Sequence, residues 1–556
     1  MDENKISVFC KNTNKEYLID KGTNLNTLKK IVFPDNHCDI IGVLVNNDLK
    51  ELSYVVFKPK NIEYITVSSL DGYSVYTRST IFVLYKAISN LFPGTRMIVR
   101  HLISNGIFCV LTECNFRINR EVVERIKTEM QRIVDADIPI KNEDYPTEEA
   151  IAIYSRQGLK DKKDLLMSRG KIYTSVYTIE NTSDYFYGIL APSTGCLKVF
   201  GLEHYENGLL LRLPDRNNPG NLLPVIRQNK LFNVFNEYKR GQDILRVSNI
   251  GDLNNMIQHN ESGNIIKINE ALHEKRISQI ADEIKSTGKR IKIVLIAGPS
   301  SSGKTTFGKR LNIQLMVNGI RPVNISLDNY FINRKDTPKD KNGEYDYETI
   351  NALDIDTFNR NILDLLEGKT VELPRFSFET GSRFYTGQKT RLPENNIIIV
   401  EGIHGLNPKL THMLPAESMY KIFVSALTTI SIDDHNIIYP KDNRLIRRMV
   451  RDYKYRNYSA IETLKRWESV LEGEEDHIVP YQEEADVIFN SALVYELGAL
   501  KQQAESILRE VTPIYPEYSK AQRLLKFFSY INPVHTWEIP PTSILREFLG
   551  GSSFRY

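Results

Sequence analysis

The feature that most constrains this chain is the run Gly298-Pro299-Ser300-Ser301-Ser302-Gly303-Lys304-Thr305-Thr306. It satisfies the GxxxxGK[ST] pattern in full. A β-branched apolar run over residues 291–297 precedes it. A helical run follows, with Phe307, Leu311, Leu315 and Met316 on its apolar positions and Asn318-Gly319 as its stop. In a strand-loop-helix setting, glycines let the backbone fold tightly enough for its N–H groups to converge, and the helix N-terminus adds a favourable dipole. The result is an anion nest suited to a nucleotide triphosphate. Lys304 is placed to bridge the terminal phosphates, and the Thr305 hydroxyl to complete a Mg²⁺ site.

Further short β-branched runs at 323–327, 396–400 and 420–425 alternate with helical stretches. Runs of that kind suit strands covered on both faces, so a C-terminal α/β P-loop NTPase domain with a parallel sheet is expected over 291–500. Ligands in such sheets collect at the carboxyl ends of the strands. Asp328 closes one run and Glu401 another. Asp328 is a candidate general base for an attacking hydroxyl, or else a turn-forming residue before Asn329. Glu401 is a candidate Mg²⁺ partner, or else a solvated strand-end acid. Arg444, Arg447, Arg448 and Arg451 share one helical face, which suits contact with phosphates unless nearby acids pair with them.

The rest of the chain sets bounds. With 556 residues several domains are expected, and 41% hydrophobic with 25% charged residues is a globular balance. The 72 basic and 69 acidic residues leave a formal charge of +3, so no global field recruits nucleic acid or an anionic membrane. The five cysteines, Cys10, Cys38, Cys109, Cys114 and Cys196, form no CxxC pair. No stretch of about 18 apolar residues is present to span a bilayer, and no apolar signal region leads the chain. A cytoplasmic protein without membrane contact is the expectation.

Ahead of the loop, residues 5–19 alternate and turn at Asn12-Thr13-Asn14, and Thr23-Asn24-Leu25 starts a capped helix. Strand-like runs at 41–45 and 62–67 complete a small module with one helix across a sheet. Residues 71–240 mix a helix over 81–91 with strand-like runs at 106–111 and 185–190, an α+β pattern. Ile277, Ile280, Ala281 and Ile284 then mark one helix face within a 246–290 linker. Residues 501–556 read as a C-terminal helix and a tail that docks on a domain without forming a site.

Several motifs recur in order after residue 291: GPSSSGKTT at 298–306, LDNYF at 327–331, EYDYE at 344–348, PRFSFETGSR at 374–383, VEGIHGL at 400–406 and NRLIRRMVRDYKYR at 443–456. In these the segment resembles the uridine kinase and phosphoribulokinase family. The resemblance implies ATP and Mg²⁺ as cofactors and Asp328 as catalytic base. It implies Thr305 and Glu401, with Asp328, around the metal, and Lys304, Arg448, Arg451 and Arg456 on the phosphates. It also implies Asp346, Phe376, Phe378 and Arg383 at the acceptor. Uridine kinases carry a Tyr-x-Phe-x-x-His pattern where this chain has Phe376-Ser377-Phe378-Glu379-Thr380-Gly381, so two polar contacts to a pyrimidine are missing. A hydroxyl of a nucleoside of the uridine or cytidine kind, or of a related sugar compound, is the implied acceptor. Another small hydroxylated acceptor, in the manner of phosphoribulokinase, is the alternative within the class. An RNA-binding protein switched by ATP is the alternative outside it.

The front of the chain has its own resemblance. Residues 1–67, through Val45-Asn46-Asn47-Asp48-Leu49, resemble a TGS domain, which implies a β-grasp, ubiquitin-like module. Residues 71–240 resemble the editing domain of threonyl-tRNA synthetase through LFPG at 91–94, ISNGIF at 103–108 and PSTG at 192–195. Where that family has His-x-x-x-His and Cys-x-x-x-His, this chain has Arg78 to Phe82 and Phe186 to Leu190, pairs that cannot hold a metal. A binding or regulatory role, with RNA as one partner, is therefore implied for this half, with a purely structural role as the alternative. A homo-oligomer is compatible with the arrangement.

Overall fold

A computed structural model describes residues 4–34, 39–288, 290–341, 343–394 and 396–556, and Cys38 lies outside them. The first element is a five-stranded sheet in the order Lys15–Asp20, Lys5–Cys10, Lys60–Thr66, Ile40–Val45, Asp48–Lys50. Its first and last long strands, Lys5–Cys10 and Lys60–Thr66, run parallel, and the other neighbours are antiparallel. Asn46 and Asn47 both take positive φ, 48° and 62°, which gives the two-residue hairpin turn its twist. The helix Leu25–Val32 buries Leu25, Leu28 and Val32, and the Asn24 side chain caps it by accepting from Thr27 N at 2.8 Å.

The next region wraps a four-stranded antiparallel sheet (Gly201–Tyr205, Gly208–Arg212, Gly106–Thr112, Arg96–Ile103) and a three-stranded one around the helix Leu70–Leu91. That helix is buried without a break from Val75 to Ile88, which explains why it has no polar face to read. Residues 185–190, expected as a strand, carry no strand. They follow the short strand Thr182–Asp184 as an irregular buried segment, and the Arg78 guanidinium donates to Ile189 O at 3.0 Å. Phe82 and Phe186 pack ring to ring at 5.5 Å, so these positions are filled by packing.

The helix Ser262–Ser286 buries Ile277, Ile280, Ala281 and Ile284 and leads to a five-stranded sheet in which every neighbouring pair is parallel. Its order is Val323–Ser326, Ile398–Glu401, Ile293–Ala297, Met419–Ser425, Val487–Asn490. Ile293 to Ala297 are all buried, as strands covered on both faces are. The carboxyl ends of the strands therefore bring the phosphate loop, Asp328, Glu401 and Ser491 to one edge.

One apolar cluster runs from Ile41 to Leu549, so the front and back of the chain share a core. A hairpin of the C-terminal half, Ser431–Asp433 with Asn436–Ile437, is built into this junction. There the fully buried Lys162 ammonium lies 2.8 Å from Asp184 and 3.0 Å from Asp433. His435 Nδ1 is 2.7 Å from the other Asp184 oxygen. Among the described residues no helix is long and apolar enough to cross a membrane.

Candidate functional site

The loop between Ala297 and Lys304 depends on its glycines. Gly298 has φ +150°, and a Cβ there would lie 2.0 Å from Val424 O; Gly303 has φ +86°. Ser301, at φ 59°, bends the loop between them. The Ser301 and Ser302 hydroxyls are buried with no protein partner. The helix Lys304–Val317 starts immediately after the loop, so its free N–H groups face the concavity. Lys304 folds over this loop: its ammonium donates to Gly298 O at 2.8 Å and Pro299 O at 2.9 Å. Burial draws Lys304 below the usual lysine range, against the pull of Glu401 and Asp328.

Opposite the lysine stand two acids. Thr305 Oγ1 donates to Glu401 Oε1 at 3.1 Å, and Glu401 Oε2 is buried without a partner. Burial, reinforced by Asp328, pushes the Glu401 carboxyl up to about 7. Asp328 sits in the 3-10 turn Leu327–Tyr330, its N–H donating to Ser326 Oγ at 3.3 Å. Its side chain meets solvent while protein atoms crowd around it, as for a group in an open crevice. Desolvation pushes its pKa above the usual carboxylate value, and Lys304, Arg456 and Arg451 oppose the rise. Among the described residues no three His, Cys, Asp or Glu side chains gather as a complete metal site. A Mg²⁺ ion asks for less: one or two carboxylates, water and phosphate oxygens, which the partnerless Glu401 oxygen beside Thr305 fits.

The arginine helix, Pro440–Tyr455, divides its charges. Arg444 donates to Glu474 at 2.6 Å, and the same Glu474 oxygen accepts from Ser300 N at 2.9 Å. Arg447 is fully buried, paired with Glu496 and bonded to Ser491 O at 2.9 Å. These two brace the loop from behind, so of the four arginines expected on a phosphate-facing side, Arg444 and Arg447 are engaged by acids instead. Arg448 reaches Ser300 Oγ at 3.0 Å. Arg448, Arg451 and Arg456 lie 3.3, 2.9 and 3.5 Å from the Asp452 carboxylate, which gathers them.

On the acceptor side Asp346 is engaged by the backbone through one of its oxygens. Asp346 Oδ1 accepts from Glu348 N at 3.0 Å and Thr349 N at 3.2 Å, so its carboxylate caps a turn. Glu348, two residues on, keeps a buried Oε2 with no partner. Burial and Glu474 push its carboxyl up to about 7, against Arg448 and Lys304. Phe331, Phe376 and Phe378 form an aromatic cluster with centroids 5.1 to 5.9 Å apart; Phe376 is buried and Phe378 open to solvent. Arg383 is held by Asp354 at 2.6 Å, the residue that caps the helix Ile355–Leu366. Sequence reasoning passed over Glu348 and Glu474. Glu348 stands in the same EYDYE motif as Asp346, a signal that could have found it, whereas the acidic run around Glu474 carried no signal.

With this geometry in hand, comparison with protein families matches residues 293–496 to the Phosphoribulokinase / Uridine kinase family. Residues 293–496 are a phosphoribulokinase/uridine kinase family domain. The chain joins this kinase-family domain to a threonyl-tRNA-ligase-like N-terminal part. The uridine kinase of Ureaplasma urealyticum is 26% identical over 196 residues, 35% of this chain and 86% of the relative. Uridine-cytidine kinase C of Dictyostelium discoideum is 32% identical over 130 residues, 23% of this chain and 26% of the relative. The threonine–tRNA ligase of Rubrobacter xylanophilus is 27% identical over 239 residues, 42% of this chain. The chain spans 37% of that ligase's length.

Proposed function

We propose that this protein is an ATP-dependent kinase that transfers the γ-phosphate to a hydroxyl of a nucleoside or related sugar compound. The carrying observation is the meeting of Lys304, Glu401 and Asp328 at one sheet edge beside the 298–306 loop, with Thr305 bonded to Glu401 and all three charged groups shifted first by burial. The kinase-family match of that segment adds support.

In this reading the loop amides from 298 to 306 hold the phosphates, and Lys304 leaves its two loop carbonyls for phosphate oxygens. Thr305 and Glu401, with Asp328 nearby, hold magnesium, which neutralises charge on the phosphates when bound. Asp328 takes the proton of the attacking hydroxyl. Arg448, Arg451 and Arg456 answer charge on the transferred group. Glu348, beside Asp346, grips acceptor hydroxyls, because its buried Oε2 has no protein partner. Phe376 and Phe378 offer an apolar wall, and Arg383 shapes it through Asp354. The missing Tyr and His leave the acceptor open to hydroxylated compounds other than uridine.

The parts are assigned as a TGS-like β-grasp module over 1–67, an editing-like domain over 71–240, a linker over 246–290, the kinase domain over 291–500 and a helix with tail over 501–556. The strand order of the first sheet, with its single helix, supports the first assignment. The test is a mass-spectrometric screen of nucleosides and sugars with labelled ATP and Mg²⁺. Label on at least one hydroxyl acceptor is the expected result; ATP binding with no acceptor labelled would sink the kinase reading in favour of an ATP switch.

A further inference from the structure

The end of the chain returns to the nucleotide side of the phosphate loop. Ile544 and Phe548 are fully buried, and Ile544 lies so close to Gly303 that a Cβ there would stand 2.6 Å from its methyl. That anchor delivers Glu547 to the head of the loop helix. Glu547 Oε2 accepts from Thr306 Oγ1 at 2.7 Å and from Thr306 N at 3.3 Å. The Tyr556 hydroxyl lies 2.8 Å from the same Thr306 oxygen, and Lys309 donates to Arg555 O at 2.7 Å. A carboxylate thus takes the first-turn N–H and hydroxyl that an anion entering this nest would use.

We infer that Glu547 is an internal phosphate surrogate, and that nucleotide binding must expel it. The inference rests on the nucleotide-site reading above. A phosphate group cannot share the Thr306 donors with a fixed carboxylate, since like charges at hydrogen-bond distance repel. The chain also has a place to bend. Gly550 and Gly551 take φ values of 89° and 72°, between the buried anchor at Phe548 and residues 552–556. The Glu547 side chain turns away from Thr306 about its own bonds while Ile544 and Phe548 stay seated, and the residues beyond the glycines lift with Tyr556, which holds the same Thr306 hydroxyl. The tail therefore sets nucleotide affinity, and anything that draws it off the loop raises that affinity.

The test is calorimetric titration of the full chain with ADP and with ATP, comparing the natural protein with Glu547→Gln. The amide keeps the shape and one acceptor oxygen but removes the charge. Binding about tenfold tighter in the variant is expected, the scale of one removed like-charge contact. Equal affinities within twofold overturn the gate while leaving the nucleotide site intact. Failure of both forms to bind either nucleotide overturns the nucleotide-site reading and the gate with it. If the variant does not fold, hydrogen exchange on the natural chain decides. Faster exchange over 550–556 at saturating ADP supports expulsion, and unchanged exchange there overturns it.

Discussion

Three acids in the crevice, Asp328, Glu401 and Glu348, differ in their surroundings, and the proposed reading gives them separate jobs on that ground. Asp328 is the only one of them that meets solvent freely, so it is the one an incoming hydroxyl can reach. Asp328→Asn should lower phosphate transfer by roughly three orders of magnitude or more, while ADP affinity changes little; a switch protein without acceptor chemistry would tolerate the change. Glu348 and Asp346 form a sharper pair. Glu348→Gln should raise acceptor KM at least about tenfold with nucleotide affinity intact. Asp346→Asn should cost about 1 kcal/mol of stability, the value of a turn cap, with a small effect on KM. The reverse pattern in steady-state kinetics would return the acceptor contact to Asp346. Glu348 also carries a pH signature. Its carboxyl stands at about 7 against an ordinary 4.5, so between those values the folded chain holds a proton that the unfolded chain has released. Its contribution is complete below pH 4.5 and is lost as pH rises through 7. Burial drives the rise, Glu474 and Asp346 add to it, and Arg448 and Lys304 resist it. Thermal melts of Glu348→Gln should therefore gain on the natural protein from pH 5 to pH 8, by about 1 to 3 kcal/mol.

At the scale of elements, the site is a strand-loop-helix unit whose loop is clamped from both sides. Val424 O closes on Gly298 from the neighbouring strand, and Glu474 holds Ser300 N from the helix Ala460–His477. Because the obstacle at Gly298 is backbone, Gly298→Ala cannot be relieved by a rotamer change. It should abolish measurable ADP binding and lower Tm by several degrees, both readable in one thermal-shift titration. These elements were legible in the chain because period and punctuation agree there. The run at 291–297 ends at a glycine, the helix begins at its lysine, and Asn318-Gly319 ends it. Legibility failed where a partner comes from far along the chain. Helical spacing put Arg444, Arg447, Arg448 and Arg451 on one face, but nothing local announced that Glu474 and Glu496 would claim the first two. Residues 185–190 failed for the related reason that an apolar run looks like a strand whether its backbone pairs with a sheet or wraps a guanidinium.

At the scale of the molecule, the hairpin between the strand Met419–Ser425 and the arginine helix ties catalysis to the front half. Its Asp433 and His435 close around Lys162 and Asp184, residues separated from them by about 250 positions or more. Asp442, on the helix that follows, is locked to Arg523 by two bonds of 2.5 and 2.8 Å. Composition reveals that such charges exist, but pairing across that separation is a property of the folded chain alone. The Lys162 ammonium is wholly enclosed, and three carboxylates, Asp184, Asp433 and Asp161, raise its basicity against the cost of burial. Removing one of them leaves a charge in the core without its full partner set, which costs about 3 to 5 kcal/mol. Asp433→Leu should therefore destabilise the junction more than either half, since Asp433 belongs to neither half's own sheet core. The expected calorimetric outcome is a natural chain that melts in one transition and a variant that melts in two, with the lower one moving as ADP is added. A variant that keeps one transition with unchanged Tm would show that the shared apolar core, rather than this buried charge cluster, joins the two halves.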